Sequence, residues 1–138
     1  MKTNVRIIAR PRFGQYVPGE GGDLAAVMAG EPGQPDYLLI IHTEFNGKAP
    51  WQDQMAWAKG LRKDGHADFR LPTRRELHGI ISNLKARFEN LDGKWFWSSE
   101  PYGSDAAWCQ LFYDGDQGWN GQRDNTIRGC AVRSVILQ

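Results

Sequence analysis

The sequence predicts an α+β domain in which two helices pack on antiparallel sheet and a loop-rich meander follows them. Three segments carry that expectation. FRLPTRRE, at 69–76, sets Pro72 ahead of a Thr73/Glu76 capping box, a pattern that opens a helix. WFWSSE, at 95–100, and IRGCAVRSV, at 127–135, are aromatic or β-branched runs of the kind that fill buried strands.

The 138 residues, 41% hydrophobic and 24% charged, suit one core, so residues 1–138 read as a single domain. Its β-rich N-terminal part covers 1–47, its helices 50–64 and 74–88, and its β meander 94–137. Within 1–47, Val5 to Ala9, Leu24 to Ala29 and Tyr37 to His42 are strand-like. The separators VPGEGGD and GEPGQPD supply the Pro, Gly and Asp that turns require. Pro50 then starts a helix on which Trp51, Met55, Ala58 and Leu61 recur until Asp64 and Gly65. After Thr73 a second helix carries Leu77, Ile80, Ile81, Leu84 and Phe88 as one apolar stripe, which must face the sheet. From Trp95 the pattern returns to strands: WFWSS, AAWCQLFY, a short run around Trp119 and IRGCAVRSVIL, separated by the turns DGDQG and QRDN.

Composition narrows the function. Seventeen basic and sixteen acidic residues leave a net charge of +1, so no global field draws nucleic acid or an anionic membrane. Arg70, Arg74, Arg75, Lys85 and Arg87 form the one basic concentration, split between a loop and the second helix. The N-terminal apolar run, Val5 to Ile8, is interrupted by Arg6 and is too short for a signal peptide or a span. A cytoplasmic site of synthesis is the expectation.

Taken together, DYLLII, the Trp51 helix ending in KDGHADF, LPTRREL, WFWSSE, the Ala107/Trp108 pair, DGDQG and CAVRSV resemble the Lcl C-terminal-like domain. This is a domain of unknown function common in bacterial secreted proteins and in phage and prophage genomes. The resemblance covers about residues 14–137. The segment Gly14 to Gly22, G-Q-Y-x-P-G-x-G-G, is similar to the short prophage-encoded form. What the resemblance implies is a C-type-lectin-like fold and a viral genome context, with no established activity. It also puts Cys109 and Cys130 in positions similar to a pair that forms a disulfide in many lectin-like domains. As residues of a cytoplasmic product they read as buried thiols instead, and both states stay open.

Chemical motifs are sparse. Calcium-dependent lectins use Glu-Pro-Asn and Trp-Asn-Asp. Here Glu100 and Pro101 precede Tyr102, and Trp119 and Asn120 precede Gly121, so each motif lacks one oxygen ligand. Asp105, Asp114, Asp116 and Asp124 read as turn residues. His42, His66 and His78 lack metal-ligand spacing, and Ser98 and Ser99 lack a nucleophile elbow. GEGGD reads as a hairpin turn rather than a phosphate cradle. The loop-rich stretch from Glu100 onward retains a partner-binding blend: Glu100, Tyr102, Tyr113, Trp119, Asn120, Gln122, Arg123 and Asn125 mix rigid aromatics with adaptable amides.

The expectation is a non-enzymatic binding protein of phage or prophage origin, with no cofactor. It would engage a host protein, for instance a defence component, or serve as a virion accessory. Carbohydrate binding is the alternative, and an enzyme related to the formylglycine-generating group the second alternative. Oligomeric state is open.

Overall fold

The structure is a computed structural model and describes residues 11–91, 95–111, 117–120 and 122–137. In chain order the described elements are β1 (Tyr16–Val17), β2 (Gly22–Met28), β3 (Tyr37–Ile41), β4 (Asn46–Ala49), α1 (Trp51–Gly60), α2 (Arg74–Leu84), a 3-10 turn at Lys85–Phe88, β5 (Trp95–Tyr102), β6 (Ala106–Leu111), β7 (Gln117–Asn120), β8 (Ile127–Gly129) and β9 (Val132–Ile136). Two helices and two sheets give the α+β class read from the sequence. The strand expected at Val5 to Ala9 lies outside the described residues.

The first sheet runs β1-β2-β3-β9, antiparallel throughout. GEGGD runs from the turn after β1 into the start of β2, with Gly19 at φ 80° and Gly21 at φ 88°. At Gly21 a side chain would strain the backbone and also meet Phe69 Cζ at 2.9 Å. At Gly22 the constraint is distance, because a Cβ would sit 2.1 Å from the Ile41 carbonyl oxygen. Glycine there lets β2 close onto β3.

α2 covers this sheet. Thr73 Oγ1 accepts from Glu76 N–H while Glu76 accepts from Thr73 N–H, the reciprocal box read from the sequence. Its stripe of Leu77, Ile80, Ile81, Leu84 and Phe88 is buried with Leu39, Ile41, Val132 and Phe96. With the 3-10 turn appended, the second helical segment spans the expected 74–88.

The first helix needs correction. It ends at Gly60, not at 64, and Leu61 is already extended at φ −70° and ψ 145°. Glycine costs about 1 kcal/mol relative to alanine in a helix. The residues beyond it are engaged elsewhere: Lys63 and His66 pair across a two-residue turn, with Asp64 at φ 53° and Gly65 at φ 81°. Asp64 then ties the turn to β1 and the β1–β2 turn by accepting from the Tyr16 hydroxyl and from Gly21 N–H. The residues that seemed to close a helix build a hairpin.

The second sheet runs β4-β8-β5-β6-β7, with β5 and β8 parallel at Phe96↔Arg128. The expected meander holds for β5, β6 and β7. IRGCAVRSV is two strands, however: β8 belongs to the second sheet and β9 to the first, with Cys130 and Ala131 buried between them. A second core of Trp51, Ala58, Phe69, Leu71, Trp97, Ala107, Cys109 and Ala131 lies under α1. Gln54 joins α1 to β4 and β8. Its side chain is buried, accepts from Asn46 Nδ2 and donates to the carbonyls of Gly47 and Ile127.

Candidate functional site

The start of α2 holds a buried polar centre. Glu76 is 1% exposed and receives both arms of Arg70, Nη1 to Oε1 at 2.6 Å and Nη2 to Oε2 at 2.9 Å. The Tyr37 hydroxyl donates to Oε2 at 2.5 Å, and Arg70 Nη2 also donates to Ser134 Oγ at 2.8 Å. Burial alone would push the Glu76 carboxyl up. The Arg70 guanidinium, the Tyr37 hydroxyl and the Thr73 N–H outweigh it, so the carboxyl titrates below its ordinary value. Burial and the carboxylate it serves push the Tyr37 phenol up to about 12. The group is a buried ion pair in which the carboxylate is held by Arg70, Tyr37 and the Thr73 N–H.

Beside it lies a cleft of about 780 Å³, reached by Tyr37, Thr73, Arg75, Glu100, Ser134 and Ile136. Glu100, a candidate ligand from the sequence, is engaged here, because its Oε2 accepts the Arg74 N–H at 2.7 Å. A carboxylate at a helix start meets both an unsatisfied donor and the positive end of the helix dipole. The Arg74 guanidinium in turn lies 3.6 Å from the centre of the Trp108 ring, and its Nε donates to Gln117 Oε1. Gln117 Nε2 donates to Gln110 Oε1, and Gln110, fully buried, donates to the Leu77 carbonyl.

Arg123 organises the neighbouring loops. Its Nε donates to the Ala106 carbonyl at 2.8 Å and its Nη2 to the Gly103 carbonyl at 2.9 Å, while its guanidinium lies 4.5 Å from the Trp51 ring centre. Its backbone N–H reaches Asp105, and its carbonyl accepts the first N–H of α1, from Trp51. One residue thus clamps the β5–β6 turn, the segment before β8 and the start of α1. Around this clamp Tyr102 is 43% exposed with its ring edge-on to Trp108, and Gln122 and Asn125 are exposed.

Of the eight sequence candidates, Tyr102, Gln122 and Asn125 are displayed, whereas Glu100 and Arg123 hold the scaffold. Trp119 and Asn120 are placed by backbone register in β7, opposite Trp108 and Ala107, and Tyr113 lies outside the described residues. The sequence reading missed Trp108 with Arg74 and the cleft itself, although LPTRREL and the Ala107/Trp108 pair had marked both neighbourhoods.

The family model described as the Lcl C-terminal domain matches residues 31–135. The chain belongs to the Lcl C-terminal domain family. The match takes in both helices, β3 through β8 and most of β9, and so contains the Glu76 centre and the Arg123 clamp. The Gly14 to Gly22 segment lies before it. Among curated proteins, none matches this family member.

Cys109 and Cys130 are free thiols buried in different cores. Burial pushes the Cys109 thiol up to about 11 and the Cys130 thiol higher still. His42 is buried at the end of β3 against Phe69, His66 bonds the Gly19 carbonyl, and His78 is exposed. Among the described residues, no three His, Cys, Asp or Glu side chains gather as a metal set. No helix among them is long and apolar enough to cross a membrane.

Proposed function

We propose that this Lcl-type domain is a non-enzymatic module that binds a protein partner through the platform carrying Tyr102, Gln122 and Asn125. The observation that carries the reading is the Arg123 clamp, which holds two loops and a helix start in one arrangement. A preorganised surface loses little conformational freedom on association, and an exposed tyrosine offers large area for few rotamers. Protein binding is favoured over sugar stacking because Arg74 already covers one face of Trp108. We further propose that the two-helix, two-sheet arrangement is C-type-lectin-like and that the module serves a phage or prophage by engaging a host protein.

The test compares wild type with a Tyr102→Ala/Gln122→Ala variant of unchanged circular dichroism as baits in host lysate. A stoichiometric protein retained by wild type and lost by the variant supports the reading. Equal retention by both removes the platform from it, and a calcium-dependent glycan-array signal without any retained protein transfers the assignment to carbohydrate.

A further inference from the structure

One edge of the first sheet is left partly open, and the hydrogen-bond register says which groups face it. His42 N–H donates to Ala131 O and Leu137 N–H to Asp36 O, each at 2.9 Å. Antiparallel ladders alternate bonded and non-bonded pairs. In the register Ile41↔Val132 through Tyr37↔Ile136, the residues bonding to β3 are therefore Arg133 and Val135. Val132, Ser134 and Ile136 turn their N–H and C=O groups away from β3. Val132 is met by Arg70 in a single antiparallel two-bond bridge, and the residues before Arg70, which that register would carry along Ser134, form no backbone bond to it. Among the described residues no backbone group pairs with Ser134 or Ile136 on that side. Both line the cleft of about 780 Å³, and Ile136 is 51% exposed.

We propose that this edge takes up an extended peptide segment of a partner as an added antiparallel strand, and that Arg75 selects a carboxylate on it. The backbone dictates the first half of the statement. Residues opposite Ser134 and Ile136 would each exchange N–H and C=O groups with them, giving four hydrogen bonds from a three-residue stretch. Side-chain chemistry supplies the second. Paired residues share a sheet face, so a residue opposite Ser134 projects toward the cleft wall formed by Arg70, Thr73 and Arg75. Arg70 is neutralised by Glu76, whereas Arg75 is exposed and has no carboxylate partner among the described residues. Glu31, on the loop at the Ile136 end, disfavours a second acid there. The intervening residue, opposite Val135, projects to the other face, where Val27, Leu38 and Val135 form one cross-strand row and Val27 is 55% exposed. The preferred segment is therefore neutral, apolar, acidic in chain order. This surface does not draw on the Tyr102 platform.

The experiment uses the full chain and the probe acetyl-Thr-Val-Thr-Val-Glu-Val-amide, read by residue-resolved amide hydrogen exchange. In the free protein the Ser134 and Ile136 amides exchange fast, and saturating probe slows both by about tenfold or more. The probe with Lys in place of Glu protects them less. Arg75→Glu, an exposed change that suits a helix's first turn, inverts that preference. Slow exchange at both amides in the free protein would overturn the proposal, because the edge would already be occupied. Equal protection by a probe N-methylated at its second Thr and its Glu would overturn strand addition. Absence of protection by the acidic probe would overturn the docking site altogether.

Discussion

Removing Arg70 from the Glu76 centre should be worse than removing both members of the pair. The Arg70 side chain is 38% exposed and Glu76 is 1% exposed, so the two are not equivalent. If Glu76 becomes Gln, the guanidinium rehydrates through its exposed side and the amide oxygen still accepts from Thr73. The cost is then that of weakened hydrogen bonds, about 1–2 kcal/mol. If Arg70 becomes Leu, a carboxylate stays buried with only the Tyr37 hydroxyl and Thr73 N–H, and stranding a charge in this way costs about 3–5 kcal/mol. Adding Glu76→Gln to Arg70→Leu removes the stranded charge, so the double variant should regain about 2 kcal/mol over Arg70→Leu alone.

The pH dependence has an independent sign. In wild type the folded carboxyl titrates below the ordinary glutamate value, so its contribution is present above that ordinary value and is lost as pH falls through the folded one. In Arg70→Leu, burial acts largely unopposed and raises the carboxyl above its ordinary value, so the variant gains relative stability on acidification. The gap between the two proteins should narrow from pH 7 toward pH 5. Urea unfolding followed by the fluorescence of the buried Trp97 and Trp51 measures both quantities. A double variant no more stable than Arg70→Leu, together with a gap independent of pH, would refute the reasoning.

Three further outcomes are expected. Gln54→Leu leaves the Gly47 and Ile127 carbonyls without their side-chain donor and should cost about 2–3 kcal/mol in urea unfolding, a cost that no change confined to the exposed face of α1 would match. Arg123→Ala should leave the melting temperature within a few degrees while speeding amide exchange at Asp105–Ala106 and Gln122–Asn125; unchanged exchange there would show that the clamp does not order the loops. Cys109 and Cys130 should resist a thiol reagent at pH 8 in the native protein and react fully in denaturant, since burial disfavours both thiolates; rapid native labelling would contradict their placement.

Local signals made the helix starts and most strands legible. Pro50, the Thr73/Glu76 box and the stripe from Leu77 to Phe88 act within one or two turns of chain, and the structure repeats them. The errors come where distant contacts override a local pattern. Leu61 continued a helical period, yet Gly60 weakens the helix and Asp64 is held by Tyr16 and Gly21. IRGCAVRSV alternates like one strand, but β8 follows β4 and β5 while β9 follows β3. At the candidate site the residue types were visible and their employment was not. Glu100 serves a helix start 26 residues earlier, and Arg70 reaches Ser134 across 64 residues. Arg123 reads as a loop cation until its partners at Gly103 and Ala106 are known.

The partnership of β3 with β9 sets the order in which this domain is completed. Strand β3 ends at Ile41 and β9 begins at Val132, so 91 positions separate the two along the chain. At about 5–20 residues per second, synthesis takes on the order of 5–20 seconds to cross that gap. The β2–β3 hairpin and α2 are then available to collapse, but the side of β3 that β9 will occupy has no partner. Leu39, Ile40 and Ile41, all fully buried at the end, lie along it. A nascent chain therefore carries an adhesive apolar border for seconds, and the yield of native protein depends on what shields that border before the last strand arrives.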